Sequence, residues 1–255
     1  MKVSTKGNKK LVSLLEEING DAELLQLWEA ANINAVRRLG MSDHGPTHIQ
    51  IVANACVKIL RLLVAADVQP SMVSEHGLTN EDSEVVVVLA ASLHDIGMSV
   101  HRANHENISL ILGYPKSRQL LANLYDEPNL TTIVSDVLHA IIAHRWDVQP
   151  LSLEAGVLKV ADALDMTQGR SRIPFESGEV NIHSVSAQAI EAVKIEKGEE
   201  LPVRVDILLN NSAGIYQVDE LLKRKLANST LAPYVEVVAH LESGKERKIL
   251  DIYRF

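Results

Sequence analysis

The chain is acidic, and its size and composition are typical of folded proteins. Its 255 residues, 46% of them hydrophobic and 23% charged, are enough for one large domain or two smaller ones. The net charge of −8 argues against general binding to nucleic-acid backbones, because that affinity comes mainly from Lys and Arg. The single cysteine, Cys56, excludes intramolecular disulfides and thiolate metal clusters. We expect a cytoplasmic protein outside the membrane, since no uninterrupted apolar run approaches the roughly 20 residues of a span.

Helical patterns dominate the first two thirds of the chain. Apolar residues recur at helical spacing over residues 10–40, which predicts helices there. A third helix is predicted from Pro46 to about Ala66, because proline suits the first helical turn. Asp43 or His44 is its predicted cap.

The valine-rich segment 84–93 fits a buried strand or a buried helix, because both have an apolar composition. Four consecutive valines favour a strand, but the polar residues 80–83 (NEDS) form a good helix start. We therefore predict a buried helix. A loop is predicted at 67–80, and further helices at 103–113, 116–124, 129–144 and 152–167.

The pattern changes after Pro174. Alternating and β-branched segments predict strands at 185–196, 202–210, 233–241 and 247–253, with a helix at 216–228 between them. The predicted fold is therefore mainly α, with a helical domain over 1–174 followed by a small α+β unit over 175–255.

Histidine and aspartate side chains are the chemically suggestive residues. Imidazole nitrogens and carboxylate oxygens together suit Mn, Fe, Ni, Co or Zn, and Mg less well. Such ions activate water and offset charge on a phosphoryl group. The candidate ligands are His48, His94, Asp95, His105, His144 and Asp162.

The spacing of two neighbouring histidines helps to decide which of them is a candidate ligand. His139 and His144 are five residues apart, about 140° around a helix, so both cannot point into one site. His144 is preferred because it lies at the predicted helix end, and His139 stays the alternative. His101 and His105 are four apart and would share one helix face if their segment is helical.

The order and context of these residues resemble the HD superfamily of metal-dependent phosphohydrolases. The contexts are HGPTHIQIV, LAASLHDIGMSVHRANHE and VLKVADALDMTQGR, and the resemblance spans about residues 40–172. It implies an all-helical HD-domain fold. It also implies that a first metal is held by His48, His94, Asp95 and Asp162, with the Asp95 carboxylate as the bridge to a second metal.

Two segments resemble the binuclear branch of that superfamily, which includes the HD-GYP cyclic dinucleotide phosphodiesterases. AIIAHRWD is similar to its HHExWDG region, and ADALDMTQGR to its final-aspartate helix. This likeness implies His105 and His144 as ligands of the second metal. The sequence departs from the branch because it has no Gly-Tyr-Pro loop, one histidine in place of two, and a short gap from Asp95 to His105. These departures argue against a cyclic dinucleotide substrate.

Cationic and proton-carrying side chains complete the predicted site. Arg102, Lys159 and Arg170 are candidate phosphate contacts, because guanidinium and ammonium groups match phosphate oxygens. His101 or His44 is the candidate donor of a proton to the leaving oxygen. For His44 the preferred prediction is a capping role, and a place near the leaving group is the alternative. Asp165, one turn beyond Asp162, is a candidate for orienting a ligand or for a contact between helices.

The predicted function is hydrolysis of a phosphate ester or nucleotide with one or two divalent metal ions. The expected partner is a small phosphorylated molecule, and the strands of the C-terminal unit make a homodimer plausible. Two alternatives are a regulatory protein that binds a nucleotide with little turnover, and an oxygenase with a di-iron site. Metal content and turnover of a phosphoester would separate these functions.

Overall fold

The chain is mainly helical up to residue 164, with loops between the helices. The computed structural model describes residues 1–167, 186 and 188–241 and the backbone of 252–254. The helices in this first part are α1 Lys9–Gly20, α2 Ala22–Asn32, α3 Pro46–Ala65, α4 Ser71–Ser74, α5 Asn80–Leu93, α6 His105–Leu121, α7 Asn129–Ala143 and α8 Leu153–Leu164. A π-helical turn, Ile33–Arg38, extends α2, and a 3₁₀ turn, Ile96–Ser99, follows α5.

Side-chain caps explain where several helices begin. Asn8 caps α1 by accepting a hydrogen bond from the Leu11 N–H, and Asp21 caps α2 in the same way from Leu24. At α3 the Asp43 carboxylate accepts from the N–H groups of Gly45 and His48. Asp43 therefore holds the start of α3, while His44, the other predicted cap, turns its ring toward the site described below.

The predicted break between residues 113 and 116 is wrong. A single helix, α6, runs from His105 to Leu121 with Pro115 inside it. Proline removes one N–H donor from the helix, and the carbonyl that would accept from it belongs to Ile111. Ile111 is 73% exposed, so water can satisfy that carbonyl and the helix continues. The predicted loop 67–80 also differs, because it contains the short helix α4.

Helix α5 is the centre of the core and settles the strand-or-helix ambiguity. It packs against α3, α7, α8 and α1, and its side chains from Val85 to Leu93 are buried. A helix that is apolar all round is stable only inside a core.

Helix α3 is another core helix. By length and composition alone, it is the one helix of the described residues that meets the criteria for a membrane span. Core helices pass the same test, and 56% of its apolar window is buried. The prediction of no span rested on uninterrupted apolar runs. Helix α3 reaches a mean hydropathy of 1.5 with polar residues, including His48, interspersed.

The described residues of the second part of the chain include a small sheet and a helix that crosses between two of its strands. The strands β1 Ile190–Lys197, β2 Val203–Leu209, β3 Val235–Leu241 and β4 Ile252–Arg254 lie in that order across the sheet. Pairing is antiparallel for β1–β2 and β3–β4 and parallel for β2–β3. The crossover between the parallel strands is α9, which consists of the successive segments Gly214–Gln217, Val218–Lys223 and Arg224–Ala227.

The sheet packs directly on the helical part. Strands β1 and β2 contact α3, and α9 contacts α8. The buried apolar side chains of both parts belong to one contiguous core. The predicted domain boundary at residue 174 lies outside the described residues.

A buried polar network anchors the start of α5. Asp82 closes a capping box with Thr79, and its carboxylate also accepts hydrogen bonds from the Tyr125 hydroxyl at 2.6 Å and the Lys10 ammonium at 2.6 Å. Burial alone would raise the pKa of Asp82, but these donors lower it below its usual value. The network joins α1, α5 and the segment after α6.

We expect Asp82→Ala to reduce the free energy of unfolding by about 2–4 kcal/mol, because it removes the capping box and leaves the Tyr125 hydroxyl without its acceptor. Urea denaturation followed by circular dichroism measures this loss. The matched control is Glu81→Ala in the same helical turn. Glu81 is exposed, so its replacement should cost within about 0.5 kcal/mol. Equal losses in the two variants would contradict the role of the network.

Candidate metal centre

The structure brings all of the predicted metal ligands into one cluster at the ends of helices. Two groups of three donors form, each with its ligand atoms within 4.8 Å of one another. The groups are His48, His94 and Asp162, and Asp95, His105 and His144. These side chains are buried, apart from the partly exposed Asp162.

Five of these side chains lie at the ends of helices, and Asp95 directly follows the end of α5. His94 is the C-cap of α5 and His144 the C-cap of α7. His105 opens α6. His48 lies in the first turn of α3, and Asp162 in the last turn of α8.

The first group has the spacing of ligands around one ion. His48 Nε2 lies 3.3 Å from His94 Nε2 and 3.5 Å from Asp162 Oδ1. His94 Nε2 lies 3.8 Å from the same oxygen. Ligands about 2.1 Å from a shared ion lie about 3.0–3.4 Å apart in tetrahedral or octahedral geometry. Two imidazole lone pairs directed at one space repel each other unless a proton or cation lies between them, so the donor set fits a metal ion.

Asp95 joins the two groups through its two carboxylate oxygens. Oδ1 lies 3.1 Å from His105 Nε2 and 3.8 Å from His144 Nε2. Oδ2 lies 3.3 Å from His94 Nε2 and 3.5 Å from His48 Nε2. One oxygen therefore faces each group, which is the arrangement of a carboxylate that bridges two ions.

Backbone carbonyls orient three of the imidazoles. The Nδ1 atom of His94 lies 2.8 Å from the Ala91 carbonyl oxygen, and that of His144 lies 2.5 Å from the Ile141 carbonyl oxygen. His105 Nδ1 lies 3.1 Å from the carbonyl oxygen of Arg102 and donates to it in the tautomer that does not accept from Arg102 Nη1, 2.7 Å away. An Nδ1–H that donates to a carbonyl leaves the Nε2 lone pair for a metal.

A carboxylate orients the fourth imidazole. Asp165 Oδ2 accepts from His48 Nδ1 at 2.6 Å, and Asp165 is the C-cap of α8. The end of α8 thus supplies Asp162 to the cluster and Asp165 behind His48. Asp165, predicted either to orient a ligand or to make a contact between helices, does both.

Burial and mutual attraction shift the pKa values of the cluster. Burial lowers the pKa of His144 to about 3, with His94 adding to the effect, so His144 is neutral at pH 7 as a metal ligand must be. Burial would raise the pKa of Asp95, but the neighbouring His94 and hydrogen bonds from His105 and His48 hold it well below its usual value. Burial would also lower the pKa of His94, but the charges of Asp95 and Asp162 raise it. Protons therefore compete with metal ions at His94.

The other predicted contacts lie at different distances from the cluster. Arg102 is exposed, and its Nη1 lies 2.7 Å from His105 Nδ1, which places it at the edge of the second group. His101 is exposed in the preceding turn, outside α6, so it does not share a helix face with His105. The His44 ring lies 5.5 Å from the His48 ring, measured between centroids. Arg170 lies outside the described residues.

Two predicted candidates are occupied elsewhere. The Lys159 ammonium is buried and donates to the carbonyl oxygens of Arg145, Trp146 and Val148, so it closes the loop between α7 and α8. Burial, and after it the charge of Lys225, lowers the pKa of Lys159 to about 8. His139 is half-buried, and its Nε2 accepts from the Leu151 N–H. The cluster contains His144 and not His139.

Sequence reasoning missed Lys225 and Gly97. Lys225 in α9 donates to Asp162 Oδ2 at 2.5 Å, and a separation of 63 residues left no local signal for it. Gly97 N donates to Ser109 Oγ, and a Cβ added at Gly97 would lie 2.1 Å from the His105 carbonyl oxygen. The glycine therefore allows the turn after Asp95 to touch the first turn of α6, which carries His105.

We expect Gly97→Ala to displace His105 and weaken binding of the second ion about 10–100-fold, because the obstructing atoms belong to the backbone. A Mn²⁺ titration by isothermal calorimetry measures both binding steps. Gly113→Ala, on the helix α6 that His105 opens, is the matched control, because its Cβ would lie at an ordinary 3.4 Å from Ile141 Cδ1. Wild-type stoichiometry and affinity in Gly97→Ala would contradict this expectation.

We expect Asp165→Ala to weaken binding of the first ion about 10–100-fold, because His48 loses the acceptor that orients it. Asp165→Asn should recover part of the affinity, since the amide oxygen can accept from Nδ1. The same titration applies. Asp147→Ala is the control, because this aspartate pairs with Arg145 at the surface. Unchanged affinity in Asp165→Ala would show that His48 needs no such support.

Comparisons with known proteins agree with this geometry. The family model described as "HD domain" matches residues 48–167, a range that contains both groups of ligands. A protein of Methanocaldococcus jannaschii, described as "Uncharacterized protein MJ1020", is 41% identical over 242 residues, which cover 95% of this chain and 93% of that protein. The likeness thus continues into the C-terminal sheet. The chain belongs to the HD superfamily.

Proposed function

We propose that this protein is a metal-dependent phosphohydrolase that acts on a phosphate ester or nucleotide. HD-domain proteins are commonly metal-dependent hydrolases. The observation that carries the proposal is the division of the Asp95 carboxylate, with one oxygen at each of two groups of donors. A purely structural buried carboxylate would not require four imidazole nitrogens around it.

The donor set supports one or two divalent ions. Four imidazoles and two carboxylates favour Mn, Fe, Ni, Co or Zn over Mg. Such a cation, when bound, activates water for attack on phosphorus and offsets the charge of the phosphoryl group. In our proposal His48, His94 and Asp162 would hold the first ion and His105 and His144 the second, and the Asp95 carboxylate would contribute an oxygen to each.

An exposed cation beside the cluster supports a phosphorylated substrate. Arg102 lies at the edge of the second group and carries a guanidinium that fits phosphate oxygens. His101 lies in the same exposed turn, and its Nδ1 accepts a hydrogen bond from the Ala103 N–H. It is our candidate donor of a proton to the leaving oxygen. Lys159 has no N–H donor left for a phosphate, because its three donors are directed at carbonyl oxygens.

Partners and location follow from the same proposal. We propose a small phosphorylated substrate, with nucleotides among the candidates, because the ligand cluster is buried at helix ends and the chain is acidic overall. A cytoplasmic location and a homodimer remain predictions from the sequence. Size-exclusion chromatography with light scattering tests the dimer.

We expect Asp95→Ala to lower metal-dependent hydrolysis of a generic phosphoester at least about 1,000-fold, because both ions lose a shared ligand. A panel of phosphoesters and nucleotides, assayed with each divalent metal, provides the measurement. Asp147→Ala should retain wild-type rates under the same conditions.

Three outcomes would contradict the proposal. Full activity in a folded Asp95→Ala variant would show that the cluster does not catalyse hydrolysis. Tight nucleotide binding without turnover in the metal-loaded wild type would favour a regulatory protein instead. A mixed-valence iron signal in the purified protein would favour an oxygenase.

A further inference from the structure

Among the described residues of the C-terminal unit, Lys225 is the one whose side chain contacts the predicted metal cluster. Lys225 lies in the last segment of α9, and its ammonium donates to Asp162 Oδ2 at 2.5 Å. The other oxygen of the same carboxylate, Oδ1, faces His48 and His94. Asp162 therefore has one oxygen for the cluster and one for Lys225. The family match ends at residue 167, so Lys225 lies outside the matched domain.

The chain around Lys225 is anchored to the helices that carry the ligands. Asn228 donates to the carbonyl oxygen of Trp146, in the loop after His144, at 3.0 Å. Thr230 donates to the Ser152 carbonyl oxygen at 3.1 Å. A Cβ added at Gly156 in α8 would lie only 1.9 Å from Thr230 Oγ1, so this segment is in close contact with α8. These contacts hold α9 at the cluster.

Among the described residues, the Lys225 ammonium has fewer hydrogen-bond acceptors than N–H donors, unlike the Lys159 ammonium. The Lys159 ammonium directs its three donors at three carbonyl oxygens and is buried. Within the described residues, Lys225 has one hydrogen-bond acceptor, Asp162 Oδ2, and its side chain is 18% exposed. An ammonium has three N–H donors, so two remain for a ligand.

Electrostatics argue that this ammonium serves an anion. A positive charge beside ligands that would hold divalent cations opposes metal binding, since like charges at short distance repel. The carboxylate of Asp162 carries one negative charge and so offsets only one positive charge. A phosphate group that enters the cluster brings negative charge and oxygen acceptors to the same place, and its oxygens form strong charge-assisted hydrogen bonds with ammonium groups.

We propose that Lys225 binds a non-bridging oxygen of the substrate's phosphate, so that the C-terminal unit supplies part of the substrate site. This inference rests on the proposed function, because it takes the ligand to be a phosphate at the metal cluster. Lys225 is a substrate-binding residue in this proposal, and its contact with Asp162 holds the ammonium in place.

The test compares Lys225→Met with Lys223→Met. Methionine keeps the length of the side chain and removes the charge. Lys223 lies on the same helix, with its ammonium on Asp219 at 2.8 Å and its side chain 44% exposed, so its replacement removes an equal charge away from the cluster. Calorimetry of inorganic phosphate with Mn²⁺-loaded protein measures phosphate binding, and a separate Mn²⁺ titration measures metal binding.

We expect Lys225→Met to weaken phosphate binding about 10–100-fold, as the loss of a charge-assisted hydrogen bond implies. Its Mn²⁺ affinity should be unchanged or higher, because a repelling charge is gone. Lys225→Arg should retain most of the phosphate affinity, and Lys223→Met should match the wild type in both titrations.

Other outcomes overturn the inference. Unchanged phosphate affinity in Lys225→Met would show that the ammonium does not contact phosphate. Mn²⁺ and phosphate affinities that fall together would show that Lys225 only positions Asp162. A metal-loaded wild type that binds no phosphate would also contradict the contact. Because none of these measurements requires turnover, phosphate binding through Lys225 in a protein that hydrolyses nothing would contradict the proposed function alone.

Discussion

The fold must hold imidazole nitrogens and carboxylate oxygens that repel one another close together in a buried space, and its other features follow from this constraint. The Nε2 atoms of His48 and His94 lie 3.3 Å apart, and the carboxylate of Asp95 lies between them and the second pair of imidazoles. Neither a lone pair nor a buried carboxylate is stable there without a cation or proton, so the surrounding helices must fix the geometry in advance. The donor set is therefore compatible with divalent metal ions, and the helix ends that carry it fix the positions of the donor atoms.

Rigidity comes from the core and from the atoms behind the ligands. Helix α5, buried along its length, delivers His94 and Asp95 at its end. Carbonyl oxygens and Asp165 hold the Nδ1 atoms, so each ring keeps its Nε2 toward the centre. The packing of α5 in the core therefore fixes the positions of the donor atoms, because a shift of α5 against its neighbours would move donors of both groups at once.

The C-terminal sheet is linked to the same centre. It shares the apolar core with the helices, and α9 carries Lys225 to the oxygen of Asp162 that faces away from the histidines. The relative from Methanocaldococcus jannaschii matches this chain over nearly its whole length, sheet included. A unit that only mediated assembly would not need to place an ammonium at a ligand carboxylate, whereas a unit that completes a phosphate site would.

The sequence by itself determined the helical class, the ordered set of histidines and aspartates, and the choice of His144 over His139, because periodicity, caps and local motifs are properties of neighbouring residues. Tertiary structure alone decided the rest. Helix α6 continues through Pro115 because the exposed carbonyl of Ile111 can be hydrated. Lys159, one turn from Asp162, is captured by three carbonyl oxygens, and Lys225 reaches Asp162 across 63 residues. Such pairings depend on which buried polar groups lie close together in the folded chain, and the spacing of residues along the sequence does not determine this.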